Sequence, residues 1–240
     1  MKKKLREDYK EFKIERGVFD TQTLKILYDF LNKGVLKEVT SILKEGKESG
    51  VFLGKDGNEK NVAIKIYRTE ASDFKSMWKY MIGDKRFSRL KKDKRFVINQ
   101  WCLREFKNLK IAYDAGVSCP KPICAKGNVL LMEFIGENQP APRLIDIKAK
   151  REHYDLILND LRKLTKAGLV HGDLSAYNIL LWHQPIIIDF SHGITVDSEL
   201  APKMLKRDIE NINSYFSKLK IPIKDSDKIY EELKLLINKR

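Results

Sequence analysis

The chain has 240 residues, 42% of them apolar, which is enough for one large domain or two small lobes and argues against wholesale disorder. No apolar run approaches the roughly 20 residues that a membrane-crossing helix needs, and the opening MKKKLRED leads into no apolar stretch of the secretory kind. An excess of Lys and Arg leaves a net charge of +14, which points to polyanionic partners, and Cys102, Cys119 and Cys124 form no CxxC or Cys/His cluster, so a reduced cytoplasmic setting is expected and a thiolate metal site is not.

Residues 1–16 read as a basic tail. In FDTQTLKILYDFLNKGVL, Asp20 is placed to cap a helix and Gly34 to end it, with Leu24, Leu27, Tyr28 and Leu31 on an apolar stripe. The runs VTSILKEG, GVFLG and NVAIKIY, with a KDGN turn, predict an antiparallel meander. Residues 68–97 read as a basic, flexible insertion: between Arg68 and Arg95 there are ten basic and four acidic side chains and only broken periodicity. INQWCLREFKNLKIAYDAG predicts a helix stopped by Gly116, and PKPICAKGNVLLMEFIGE two strands about a turn at 126–128. YDLILNDLRKLTKAG is a helix ended by Gly168; NILLW and PIIIDF suggest a hairpin; SELAPKMLKRDIENINSYFSKL and DKIYEELKLLINK are closing helices. Strands first and helices afterwards predict an α+β, two-lobed molecule, with residues 17–134 in the first lobe and 135–240 in the second.

Phosphoryl transfer from ATP requires neutralised phosphates, a held metal ion, an oriented acceptor and a place for adenine. In LVHGDLSAYNIL, Asp173 precedes Asn178 by five residues, the spacing at which an Asp orients or deprotonates the acceptor and an Asn ligates a metal. Asp189 ends the apolar run PIIID, where a carboxylate is costly unless it meets a cation. Two such oxygen ligands plus phosphates suit Mg²⁺, with Mn²⁺ as a substitute. Lys65 of VAIK, on an apolar strand, is a candidate for the inner phosphates, with Glu105 on the following long helix as its counter-charge. Around the KEGKESGVF turn, Gly46 and Gly50 would let backbone amides reach phosphate, helped by Lys47, Glu48 and Ser49. Met132 and the Glu133–Ile135 connector, with apolar contacts from Val51, Ala63 and Ile188, are the candidates for adenine. His171 is read as bracing the loop.

These motifs, with ILKEGKESGVF, VAIKIYR, LLMEFIGE and IIIDFSHG, resemble the RIO family of atypical Ser/Thr protein kinases in its RIO one type, over about residues 17–215. Gly50 and Phe52 stand where that family more often has Asn and Tyr, and Gly172 where Ala is common. The resemblance implies a trimmed kinase fold with an added N-terminal helix, no activation segment or peptide-docking helices, and ATP and Mg²⁺ as cofactors. It also implies a role in maturation of the small ribosomal subunit, whose RNA-rich precursor would match the +14 charge. About fifty residues follow Asp189 and no APE-like motif is among them, in keeping with the trimmed fold; a winged-helix domain does not fit before residue 17, in keeping with the RIO one type. Ser72, Ser76 and Ser88 are candidate autophosphorylation acceptors. An ATP-hydrolysing assembly factor, a protein kinase acting in trans, a small-molecule kinase of the aminoglycoside phosphotransferase kind and a KEOPS-type kinase all use such a loop. Ser175 stands where Ser/Thr protein kinases usually carry a lysine, which favours slow, partner-gated turnover.

Overall fold

The computed structural model describes residues 20–69, 74–82, 84–87 and 93–238. Among these, residues within Met1–Lys79, Arg89–Leu103 and Ile123–Met132 form one compact unit, and those within Tyr80–Ser88, Arg104–Pro122 and Glu133–Arg240 a second. The division is not one cut near residue 134: the helix over 94–114 contributes its first half to one unit and its second half to the other.

The first unit opens with helix α1 (Thr21–Asn32), capped as expected by Asp20, whose Oδ1 accepts from the Gln22 and Thr23 amides. Its buried face is Thr23, Leu24, Leu27 and Phe30; Tyr28, expected on the apolar stripe, points to solvent. Strands β1 (Leu36–Glu45), β2 (Ser49–Asp56) and β3 (Asn61–Tyr67) form the antiparallel meander and continue through β5 (Val129–Glu133) to β4 (Pro122–Lys126), in the order β1-β2-β3-β5-β4. Because successive strand residues face opposite sides, Phe52, Val62, Ile64 and Ile66 pack with Leu27, Phe30 and Leu131 on the helix side. Val51, Ala63 and Lys65 occupy the other side, with Val51 directly across from Lys65. The buried Asn128 amide donates to Thr23 Oγ1 (2.9 Å) and the Tyr67 carbonyl (2.7 Å), pinning the β4–β5 turn to α1 and β3.

Within the segment expected to be a flexible insertion, residues 74–82 form helix α2 (Phe74–Ile82), followed by a single 3₁₀ turn at Lys85–Phe87. Met77, Met81 and Phe87 are buried. The lysines interleaved among these apolar positions hide a helical stripe in the sequence. Helix α3 spans Lys94–Asp114, starting four residues before the predicted stretch. Ser72 and Ser88 and the side chain of Ser76 lie outside the described residues.

The second unit contains α4 (Arg151–Lys166), the short strand β6 (Leu169–Val170), the hairpin β7 (Ile179–Trp182) and β8 (Gln184–Ile187), strand β9 (Ile194–Thr195), and helices α5 (Ala201–Lys218) and α6 (Ser226–Asn238). Strand β6 pairs with β9, so the chain between them is anchored at both ends. That stretch contains Asp173, Asn178 and Asp189. Antiparallel sheet in the first unit and helices dominating the second give the expected α+β class.

Candidate active site

Three of the expected residues are brought together by the β7–β8 hairpin. Asn178 and Ile188 sit at its open end, where the Ile188 N–H donates to the Asn178 carbonyl at 2.9 Å, so Asp189 follows directly beside Asn178. The Asn178 side-chain N–H₂ donates to the Asp173 carbonyl (2.9 Å) and to Asp173 Oδ2 (3.0 Å). With its nitrogen turned to Asp173, Asn178 has its Oδ1 available as a hard donor. Asp189 adopts a left-handed backbone (φ 63°, ψ 71°), a conformation that costs a non-glycine residue energy and concentrates at functional sites. Its Oδ1 accepts from Ser191 Oγ at 2.7 Å. An amide oxygen and a carboxylate on adjacent positions form the oxygen-only set that Mg²⁺ favours, with water and phosphate completing the shell. These two residues fit that ion.

His171 braces the loop. The Asp173 N–H donates to Nδ1 (3.3 Å), which puts the ring proton on Nε2 for the Ile188 carbonyl (3.1 Å). Burial lowers its pKa, consistent with the neutral tautomer that these bonds require.

Helix α5 grips the same loop from below, through residues not singled out from the sequence. Asp208, fully buried, accepts the Gly172 N–H (2.7 Å) on one oxygen and the Leu174 N–H (2.9 Å) on the other. Burial pushes its carboxyl up to about 7 despite these bonds. Asn211 donates to the Leu174 carbonyl at 3.0 Å. Arg207 donates to the Gly172 carbonyl and lies 3.9 Å from Asp173 Oδ1. Arg207 thus brings a cationic side chain of α5 near Asp173. Gly172 itself has φ +79°, and a Cβ there would stand 2.8 Å from the His192 carbonyl oxygen, so a side chain would be strained on both counts. The signal for Asp208 was present: it shares a helical face with Leu205, Ile209 and Ile212, a phase in which a carboxylate needs donors.

Among the candidates for adenine, Ile135 and Ile188 join one apolar cluster with Ala141 and Ile186 in the second unit. At the connector, the Glu133 N–H donates to the Lys121 carbonyl (2.9 Å) and the Ala141 N–H to the Ile135 carbonyl (2.9 Å). Met132 is half-buried on β5, and the Glu133 carboxylate accepts the Lys121 N–H.

In the first unit, Lys65 is 5% exposed on β3, its ammonium 5.2 Å from the Tyr67 ring centre. Lys47 is exposed, and Glu48 and Ser49 are half-buried, in the β1–β2 turn. The Gly46 N–H, expected to face phosphate, donates instead to the Ser49 carbonyl (2.9 Å), and the Glu48 carbonyl accepts from the Arg68 N–H (2.8 Å). A tight hairpin turn consumes these groups. Glu105 is buried on α3, in the part belonging to the second unit.

The RIO domain profile matches residues 50–229 of the chain. The RIO-type serine/threonine-protein kinase Rio1 of Haloferax volcanii is 37% identical over 93% of this chain and 78% of its own length. The chain belongs to the RIO family. Rio1 of Methanocaldococcus jannaschii is likewise 37% identical, over 91% of this chain and 76% of its own length. The human serine/threonine-protein kinase RIO1 is 32% identical over 89% of this chain, which spans 39% of the human protein. Among solved structures, the Rio2 kinase–ADP/Mg²⁺–phosphoaspartate complex of Chaetomium thermophilum superposes with a TM-score of 0.69 at 22% identity, covering 89% of this chain and 66% of that one. The shared fold is the kinase-like α+β fold expected from the sequence. Among the described residues, no helix is long and apolar enough to cross a membrane.

Proposed function

We propose that this RIO-family chain is a Mg-ATP-dependent serine/threonine kinase and ATPase of the RIO one type that acts in small ribosomal subunit maturation. The observation that supports this reading is the link between Asn178, Asp173 and Ile188: Asn178 donates to Asp173 Oδ2 and its carbonyl accepts the Ile188 N–H, one residue before Asp189. In this reading Asp173 orients the acceptor, and Asn178 and Asp189 hold Mg²⁺, which neutralises phosphate charge. Lys65 meets the inner phosphates, with Glu105 as its counter-charge, as the family resemblance implies. Lys47, Glu48 and Ser49 lie over the phosphates, and Val51, Ala63, Met132, Glu133, Ile135 and Ile188 serve adenine. The +14 charge supports an RNA-rich partner through counterion release.

Asp189 is also a candidate phosphoryl acceptor, a reading favoured by the phosphoaspartate in the related Rio2 kinase complex. Its carboxylate oxygen would attack the γ-phosphorus as the bond to the β–γ bridging oxygen breaks and ADP leaves; water would then cleave the acyl phosphate. Hydroxylamine-labile phosphate on the protein, absent in Asp189→Ala, supports this; acid-stable phosphoserine alone counts against it.

The decisive experiment measures ATP turnover with and without small-subunit precursor particles, in wild type and Asp173→Ala. Stimulation by particles supports the assembly role. Asp173→Ala is expected to lose at least about a hundredfold in turnover; a variant as active as wild type would overturn the assignment of the loop.

A further inference from the structure

The turn that follows Asp189 is held by side chains of α3. Its three carbonyls at 190, 191 and 193 all have named partners there. Asn108 Nδ2 donates to the Phe190 carbonyl (2.9 Å) and the Gly193 carbonyl (2.8 Å), and Arg104 Nη1 donates to the Ser191 carbonyl (2.8 Å). Asn108, Arg104 and these carbonyls are buried in the second unit. Gly193 is required by this grip, because a Cβ there would stand 2.8 Å from Asn108 Nδ2 and 3.1 Å from its Cγ. A left-handed aspartate followed by a 3₁₀ turn has no ladder of its own to hold it. The α3 side chains supply that restraint.

Arg104 has no exposed surface, and a buried guanidinium requires a counter-charge. The carboxylate comes from Asp84, 3.1 Å away, in the segment between α2 and α3. Asp84 is nearly fully buried and is itself held by Arg86, whose Nε and Nη2 donate to its two oxygens at 2.8 and 2.6 Å. The end of α2 that leads into this segment touches the turn after Asp189, since the Tyr80 ring meets the His192 ring edge-on at 5.1 Å. Lys107 of α3 lies 4.8 Å over the Phe87 ring and closes the other end.

We propose that Asp84, Arg104 and Asn108 are positioning residues that set the Asp189 carboxylate for its divalent cation, so that the 80–87 segment controls metal affinity. The proposal rests on the kinase reading given above for its metal, and on the buried contacts alone for its geometry. A partner or modification that moves the basic segment would thereby reach the metal site through Asp84, without touching nucleotide.

Two readouts on the full chain test it. The first is hydrogen exchange of the amides at 189–193, measured without nucleotide or metal. The second is the Mg²⁺ concentration giving half-maximal ATP turnover, compared with the KM for ATP at saturating Mg²⁺. Asp84→Asn removes the charge with little change of shape; it should speed exchange at 189–193 and raise the Mg²⁺ requirement about tenfold, with the ATP KM within about twofold of wild type. Asp84→Glu should recover most of the loss. Arg86 is partly exposed, so Arg86→Gln is the milder variant and should shift the Mg²⁺ requirement about threefold in the same direction. If Asp84→Asn does not fold, Arg86→Gln decides. Unchanged exchange in folded variants overturns the proposal, and so does faster exchange with an unchanged Mg²⁺ response. A wild type whose turnover needs no divalent cation overturns the kinase reading and the metal role together, whereas altered exchange would still uphold the geometric restraint.

Discussion

Asp208→Asn tests how α5 holds the catalytic loop. Each Asp208 oxygen accepts one backbone N–H, from Gly172 and from Leu174. Asparagine keeps one acceptor and turns its N–H₂ toward the other amide, so a buried bond is lost and a donor faces a donor. Together these cost about 2–4 kcal/mol. The opposing effect is charge. The wild-type carboxyl is raised from 3.8 to about 7, chiefly by burial. A group whose folded pKa is raised contributes stability that is full below its unfolded pKa and is lost as pH rises through the folded one. Between pH 5 and pH 8 the folded protein gives up nearly one proton that the unfolded chain has already lost, and integrating that difference gives about 2–3 kcal/mol. The asparagine variant lacks this slope. Urea denaturation of both proteins at pH 5 and pH 8 should show the variant several kcal/mol weaker at the lower pH, with the gap shrinking by about 2–3 kcal/mol at the higher. A gap that stays constant, or widens toward pH 8, would refute the argument that Asp208 is a buried, proton-binding clamp.

Arg207→Gln should lower kcat roughly tenfold with a smaller change in the ATP KM, and Arg207→Lys should recover much of it, if the cation beside Asp173 serves turnover; steady-state kinetics of the three proteins checks this. Asp20→Ala removes the α1 cap and the contacts to Thr69 and Arg95, costing about 1–2 kcal/mol in a denaturation experiment at neutral pH. Burial would raise the Asp20 carboxyl, but hydrogen bonds from Arg95, Thr23 and Thr69 outweigh it and bring it from 3.8 to about 2. Its stabilisation is thus present above pH 3.8 and should fade as the pH falls toward 2, a slope that Asp20→Ala lacks. Burial, with the nearby negative charges of Asp160 and Glu133, pushes the Cys119 thiol up to about 12. At pH 8 that leaves about one thiolate in ten thousand, so iodoacetamide should label Cys119 in urea and spare it in the native protein; rapid native labelling, read by mass spectrometry, would contradict the burial.

Local chemistry written into short stretches of chain was enough to locate α1 with its Asp20 cap, the meander, the hairpin at 179–187 and the spacing of Asp173, Asn178 and Asp189. Each depends on residues within about one turn or one ladder of each other, where period and capping leave few alternatives. Helix α2 is hard to read because it is only nine residues long, broken by Lys75, Ser76 and Lys79 and flanked by further basic residues, although Met77 and Met81 are buried. At the turn 46–49 the hairpin claims the Gly46 N–H for itself, which glycine spacing alone does not reveal. What only the tertiary structure decided is which distant residues secure the site. Asp208 lies 34 residues from Leu174, and Arg104 lies 87 residues from Ser191. No local rule links such positions. They meet because a buried polar group must find its partner wherever packing brings one, and that is settled by the whole fold rather than by any stretch of sequence.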